Sequence, residues 1–345
     1  MPKRCSALLL AATVAAASSS STTAPEPDWG AIVDRVNADP KSTWVAGAVE
    51  PRQRGRLYAA LGPGRGTLPY PAGKPLPPTK LASAYAAAAL PSDFDARTRW
   101  PNCPTIAAVR DQGACGSCFA FGAIEAFEDR ICIHLGMNVS LSAGDIISCH
   151  DDENMSCDGG NPIAVWQDIF AGSSSGDGAI RSSCYPYGLP RVPCNHHSPQ
   201  NASKYPACPA EGALPTPTCD LMAKFKCEDK GGSFFSKAPT LIAAANMEQE
   251  LVQNGPITVA YTVYDDFLAY KSGVYQKSAG AKALGGHSVK IVGYGVDAGV
   301  KYWTVANSWN EEWGDGGFFK IVRGTDECYI ESSAVVAGIP RKQGP

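Results

Sequence analysis

The sequence predicts an α+β chain, mainly helical in its N-terminal half around a single long helix and mainly stranded in its C-terminal half. Three observations carry this expectation. Apolar residues recur at helical spacing from Ala120 (Ala120, Ile124, Phe127, Ile131), with Glu125, Glu128, Asp129 and Arg130 between them, which predicts a helix with one buried and one wet face. Far downstream, the stretch holding Val289 and Ile291 and the run from Tyr302 to Val305 alternate like strands. Residues 90–345, 256 in number, suffice for two lobes that each bury a core.

The helix start is the most informative element. Gln112-Gly-Ala-Cys-Gly-Ser-Cys-Phe-Ala-Phe-Gly122 sets Cys118 behind a Gly-rich turn, with Ser117 as the expected N-cap. A thiol in a first helical turn lies at the positive end of the helix dipole, which favours thiolate, and a neighbouring imidazolium would lower its pKa further. On these residues alone Cys118 reads as a nucleophile, as a disulfide half, or, with Cys115 three residues away, as part of a redox or metal pair.

The strand-like stretches supply its partners. Gly285-Gly-His-Ser-Val289 offers a base, His287, and Ala306-Asn-Ser-Trp309 offers an orienting amide, Asn307. A lone histidine reads equally as structural. Beside a nucleophile motif and Asn-Ser-Trp it completes a set in which the imidazole shares the thiol proton and the amide fixes its tautomer.

These motifs resemble the papain family of cysteine peptidases, and within it the cathepsin B-like branch, from about Leu90 to Arg341. The resemblance rests on Leu-Pro-Ser-Asp-Phe-Asp-Ala-Arg (90–97), Arg-Asp-Gln-Gly (110–113), Cys-Asp-Gly-Gly (157–160), Tyr-Lys-Ser-Gly-Val-Tyr (270–275), Ala-Asn-Ser-Trp-Asn (306–310) and Trp-Gly-Asp-Gly-Gly-Phe-Phe-Lys-Ile (313–321). One departure is Phe119, where the family signature has Trp or Tyr; the aromatic ring is kept and a polar handle lost. The resemblance implies a papain-like two-lobed fold, a helical lobe and an antiparallel, barrel-like sheet lobe with a cleft between them, and a catalytic set of Cys118, His287, Asn307 and Gln112. In that set Gln112 and the Cys118 N–H form the oxyanion hole and Trp309 shields the Asn307–His287 bond. It implies substrate binding at Gly159, Gly160 and Gly286, where missing side chains let a peptide backbone approach, although a plain turn explains two glycines equally.

His287 lies 169 and Asn307 189 residues beyond Cys118, more than the roughly 130–150 of plain papain-like chains. The extra chain fits best at about 184–232, rich in Pro and Cys and without periodicity, hence a tethered loop. It contains Cys194-Asn-His-His-Ser-Pro, which resembles the occluding loop of the cathepsin B-like branch. By that resemblance His197 binds the C-terminal carboxylate of a substrate and His196 pins the loop to Asp111. Both must be protonated, so dipeptide removal should fade as pH rises past about 6.5. A metal site at His196 and His197, and a pair of solvated loop histidines, are the competing readings.

The 13 cysteines bear on the same alignment. With Cys5 in the leader and Cys118 reserved for chemistry, an odd number remains. The resemblance pairs Cys103 with Cys132, Cys115 with Cys157, Cys149 with Cys219, Cys184 with Cys227 and Cys194 with Cys208, leaving Cys328 unpaired. A further bridge found in mammalian relatives lacks both halves here, since His150 follows Cys149 and no cysteine intervenes before Cys157. Such a framework needs an oxidising route, and Pro2-Lys3-Arg4 ahead of the apolar run Leu8–Ala17 has the layout of a secretory signal peptide. Asn138, Asn154 and Asn201 open glycosylation triplets.

The expected organisation is a signal peptide at 1–22, an inhibitory propeptide at 23–89 and a mature peptidase domain at 90–345. Within the propeptide, Ile32-Val33 to Val36-Asn37 is helix-like, Thr43-Trp44-Val-Ala-Gly47 resembles the short family prosegment, and residues 62–90, rich in Gly, Pro and Ala, are extended and cleavable. A linker without inhibitory role is the alternative. The charge balance of 30 basic and 33 acidic residues leaves no footprint for nucleic acid or anionic membrane. No cofactor or metal is expected. The expected partners are peptide and protein substrates, the chain's own propeptide and cystatin-type inhibitors, in a lysosome-like or endosomal compartment or outside the cell. The expected activity combines endopeptidase with removal of C-terminal dipeptides; an endopeptidase alone, or a silent peptide-binding relative, are the alternatives. After Cys328-Tyr-Ile-Glu-Ser332 come Ser333 and Ala334, where mammalian relatives carry a pocket glutamate, so the second specificity pocket should prefer Phe, Leu or Val to Arg, with Tyr329 narrowing it.

Overall fold

Cys118 opens the longest helix, and the residues around it explain where the helix begins and stops. In the computed structural model, which describes residues 27–49, 61, 66–87, 89–150, 155–172, 178–187, 214–220 and 233–341, α1 spans Trp29–Ala38 and α2 spans Cys118–Leu135. The end of α2 is set by Gly136, which takes a left-handed φ of 69° and returns its N–H to the Cys132 carbonyl.

The expected wet face of α2 does not exist. Glu125, Glu128, Asp129 and Arg130 are all buried, because α2 is enclosed by the sheet on one side and by other helices elsewhere. Their charges are met by distant residues. Asp129 pairs with Lys290 at 2.8 Å, with both side chains fully enclosed. Arg130 pairs with Glu250 at 2.9 Å and donates to the carbonyls of Gly255, Pro256 and Gly338. Glu128 accepts from Arg110 and from the Leu141 N–H. Glu125 has a carboxylate oxygen without a partner, and burial pushes its pKa up to about 8, so it is carried as the neutral acid at pH 7.

The helical lobe is completed by α3 (Ala143–Cys149), capped by the Ser142 hydroxyl on the Asp145 N–H, and by α4 (Pro162–Ala164), which continues into a π-helical turn, Val165–Phe170. Their apolar side chains form one core around Phe119, Phe127, Trp166 and Phe170.

The other lobe is a nine-stranded sheet among the described residues, β1 (Trp44–Ala46), β2 (Phe94–Asp95), β4 (Thr240–Leu241), β5 (Ile257–Tyr264), β6 (Tyr270–Tyr275), β7 (Ala283–Asp297), β8 (Val300–Ala306), β9 (Phe318–Val322) and β10 (Val336–Ala337). The order is β1-β6-β9-β8-β7-β5-β10-β4, with β2 added to β7; β3 (Phe235–Ser236) pairs separately with β11 (Pro340–Arg341). All of these pairings are antiparallel except β6 with β9. Helix α5 (Met247–Asn254) lies between β4 and β5 in the chain.

The register places the chemistry. β7 pairs with β5 over Ala283–Ile291 but with β8 only over Lys290–Asp297. His287 therefore sits opposite Tyr261 of β5, past the end of β8, where Asn307 follows.

Three disulfides are closed among the described residues, Cys103–Cys132, Cys115–Cys157 and Cys149–Cys219. Cys184 is also disulfide-bonded, and Cys118 and Cys328 are free. Cys194, Cys208, Cys227, His196, His197, the leader, Asn154 and Asn201 all lie outside the described residues; Asn138 is exposed.

α2 and β7 touch at a glycine. A Cβ on Gly122 would stand 2.7 Å from Ser288 Oγ and 2.9 Å from the Val289 nitrogen. Gly122→Ala is therefore expected to cost about 1–3 kcal/mol by overpacking, read as a lower urea midpoint at unchanged slope. An unchanged midpoint would mean that helix and strand are not held this closely.

Candidate active site

The loop before α2 is tied to the element after β8. The Gln112 N–H donates to the Ser308 carbonyl (2.9 Å), and the Ser308 hydroxyl donates to Gln112 Oε1 (2.7 Å). Gln112 is buried, and its Nε2 donates to the Cys115 carbonyl at 3.0 Å. That bond uses one of its two amide hydrogens.

Ser117 stands at the N-cap position, but its hydroxyl does not cap. It pairs with the Tyr187 hydroxyl at 2.7 Å, and Tyr187 in turn donates to the Gln112 carbonyl. The expected side-chain cap thus gives way to a tertiary bond with a residue 70 positions on. Phe119 is buried, with its ring against Gly160; a Cβ there would lie 2.6 Å from that ring.

His287 and Asn307 meet as a pair. Nε2 of the imidazole lies 2.8 Å from Asn307 Oδ1, which also accepts from the Ser308 N–H at 2.8 Å. Because that N–H requires an acceptor, Asn307 presents oxygen to the ring, and His287 carries its proton on Nε2. The lone pair is left on Nδ1, which has no hydrogen-bond partner. Trp309 stacks on the imidazole at 4.6 Å between centroids and 30° between planes, and Tyr261 meets its edge at 5.7 Å.

Residues 66–68 of the N-terminal segment cross this site and touch both lobes. The Thr67 N–H donates to the Gly286 carbonyl (3.0 Å), the Gly160 N–H to the Gly66 carbonyl (2.9 Å) and the Leu68 N–H to the Gly160 carbonyl (2.7 Å). The Thr67 hydroxyl lies 3.6 Å from Cys118 Sγ. Gly159 has a φ of 135°, and a Cβ there would meet the Gly66 carbonyl at 2.6 Å; at Gly286 it would collide with the Thr67 carbonyl. Asn161, which the sequence reading passed over, holds the Leu68 carbonyl through Nδ2 at 2.7 Å and caps α4 through Oδ1. Its position directly after Gly159-Gly160 was the available signal. Ser333 is half-buried and accepts from the Ala260 N–H, while Tyr329 stands 57% exposed.

The covered site holds its two ionisable groups neutral. Burial pushes the Cys118 thiol up to about 11, against the opposing pull of Thr67 and of the Ser288, Phe119 and Cys118 backbones. Burial likewise lowers His287 to about 4, against the Asn307 bond. Among the described residues, no group of His, Cys, Asp and Glu could hold a metal ion, and no helix is long and apolar enough to cross a membrane.

Known proteins share this outline. Residues 90–338 match the papain family cysteine protease. Cathepsin B-like cysteine proteinase 6 of Caenorhabditis elegans is 45% identical over 267 residues, covering 73% of this chain and 67% of that protein. The cathepsin B-like cysteine proteinase of Schistosoma japonicum is 41% identical over 261 residues, covering 72% and 73%. Procathepsin B S9 from Trypanosoma congolense superimposes at a TM-score of 0.71 with 30% identity, covering 91% of this chain and 98% of that one. The digestive procathepsin L2 of Tenebrio molitor shares the fold at 23% identity and a TM-score of 0.63, covering 87% and 84%.

In the full chain, alkylation of Cys118 by iodoacetamide should climb only as pH rises toward about 11, because the thiolate is the reacting form. Mass mapping separates it from Cys328. A rate already on its plateau at pH 6 would contradict the covered, neutral site.

Proposed function

The chain belongs to the papain family of cysteine proteases, in its cathepsin B-like branch, and from that premise we propose that it cleaves peptide bonds through Cys118, His287 and Asn307 once its N-terminal segment is removed. The observation that carries the reading is the His287 imidazole, held at Nε2 by Asn307 and covered by Trp309, with the Nδ1 lone pair left open.

Removing the segment returns water to the cleft, which lifts the burial penalty on both ions, and Nδ1 takes the thiol proton. The Cys118 thiolate adds to the scissile carbonyl carbon, and the oxyanion is held by the Cys118 N–H and the second Gln112 amide hydrogen. The C–N bond breaks as His287 passes its proton to the departing amine. His287 then takes a proton from water, whose oxygen attacks the thioester and releases the acid product and the thiol. Peptide substrates would bind as an added strand along Gly159, Gly160 and Gly286, the groups that Gly66, Thr67 and Leu68 occupy in this structure.

We read residues 23–89 as the inhibitory propeptide, since the contacts of residues 66–68 block that groove, and residues 90–345 as the mature enzyme. The disulfides suit a secretory route ending in a lysosome-like compartment or outside the cell. Peptidyl-dipeptidase action alongside endopeptidase action rests on His196 and His197, by the resemblance of 194–199 to an occluding loop.

Cys118→Ala should lower kcat/KM on a reporter peptide by more than about 1000-fold, with folding retained by near-UV circular dichroism; residual activity near the parent level would remove the assignment. His197→Ala should abolish release of C-terminal dipeptides and spare internal cleavage. Unchanged dipeptide release would remove His197 from that activity, and a parent enzyme that releases no dipeptides would be an endopeptidase alone. With Ser333 and Ala334 at the second specificity pocket, kcat/KM for a Phe-Arg reporter should exceed that for Arg-Arg, and equal values would overturn the apolar preference.

A further inference from the structure

The N-terminal segment leaves the cleft and then docks a second time, far from Cys118. The Leu241 N–H donates to the Pro78 carbonyl (3.0 Å), and the Lys80 N–H donates to the Leu241 carbonyl (2.8 Å). Leu241 belongs to β4, the end strand of the sheet order, so the segment covers an otherwise open strand edge. Lys80 Nζ reaches Glu250 Oε2 at 2.7 Å and lies 4.4 Å from the centre of the Tyr85 ring. Gln253 grips both backbone groups of Ala86, accepting from its N–H (3.1 Å) and donating to its carbonyl (3.0 Å).

The Glu250 carboxylate that receives Lys80 is held by core residues as well. It is 2% exposed and already paired with Arg130, whose side chain is fully enclosed in α2 and belongs to the core. Asn254 also donates to Glu250 Oε2 at 3.1 Å, and His134 stands behind it, bonded through Nε2 to the Asn254 carbonyl. Burial opposes ionisation of Glu250, yet Arg130 and Lys80 together outweigh it and hold the carboxyl below its ordinary range. Lys80 thus brings its ammonium to a carboxylate that Arg130 also neutralises, and the desolvation of the site is shared between two cations.

We propose that Leu241, Glu250 and Gln253 form an exosite that clamps residues 78–86 of the chain, and that this anchor, acting with the cleft contacts of residues 66–68, keeps the segment seated over Cys118. The inference rests on the inhibitory reading of that segment. The two grips differ in kind. In the cleft the bonds are mostly backbone to backbone, whereas the exosite reads a side chain, Lys80.

The test uses the full-length chain with Lys80→Met, Lys80→Arg and Gln253→Ala. Three readouts are compared: hydrogen exchange at the Lys80 and Ala86 amides, the iodoacetamide rate at Cys118, and cleavage of a reporter peptide. Lys80→Met and Gln253→Ala should raise exchange and alkylation at least about tenfold, a modest loss for one desolvated contact. Lys80→Arg keeps the charge and should keep both rates near the parent values. Unchanged exchange in Lys80→Met overturns the exosite, and raised exchange with unchanged alkylation overturns its hold on the cleft. Raised exchange and alkylation without any gain in peptide cleavage supports the anchor and counts against the inhibitory reading.

Discussion

The close contact of α2 with β7 at Gly122 is the constraint on which the rest of the site depends. A helix and a strand can approach this nearly only where one of them has no side chain, and Gly122 lies one turn beyond Cys118 while Ser288 directly follows His287. The same contact therefore sets where the thiol stands relative to the β7 backbone at Ser288. Thr258 adds to the seam by donating to the Gly122 carbonyl at 2.9 Å, and Trp166 from the helical lobe donates to Thr258. Further out, Gln112 and Ser308 are joined by two bonds, which ties the approach to α2 to the element that carries Asn307.

Ions brace the same seam lower down. Asp129 and Lys290 are three turns from Cys118 and three residues from His287, and they are sealed from solvent on both sides. Desolvating two such ions nearly offsets their attraction, so the pair adds little net stability, but losing one partner strands the other charge in the core. Arg130 does the same between α2 and α5, with three carbonyls accepting from three more of its donors. Two of its four buried ionisable groups are thus met from the opposite lobe, while Arg110 and the Leu141 N–H hold Glu128.

Much of this was legible in the sequence, and the parts that were not share a cause. The helical character of α2 followed from its period and its start from the Gly-rich turn before Cys118, and the strands around His287 and Asn307 from alternation. The wet face was misread because Lys290 and Glu250 lie more than 100 positions away from the charges they meet, and no local pattern records them. Ser117 has the composition of a cap, yet Tyr187 takes its hydroxyl by a tertiary route. Asn161 and Thr67 were missed because their roles exist only where the N-terminal segment crosses the cleft. The cysteine pairings came with the family resemblance, since spacing alone does not fix connectivity.

The N-terminal segment is built into the fold as well as laid over the site. Trp29, Ile32, Val36 and Trp44 join the core of the sheet lobe, and β1 extends the sheet at β6. The segment runs past Cys118, where burial holds the thiol and the imidazole both uncharged. The most direct measurement is titration with a thiol-directed epoxide before and after residues 1–89 are removed, with the labelled residue identified by mass. The account predicts no label on the full chain and one equivalent on Cys118 afterwards, with loss of all peptidase activity. Label on Cys328, or peptidase activity surviving a fully capped Cys118, would contradict it.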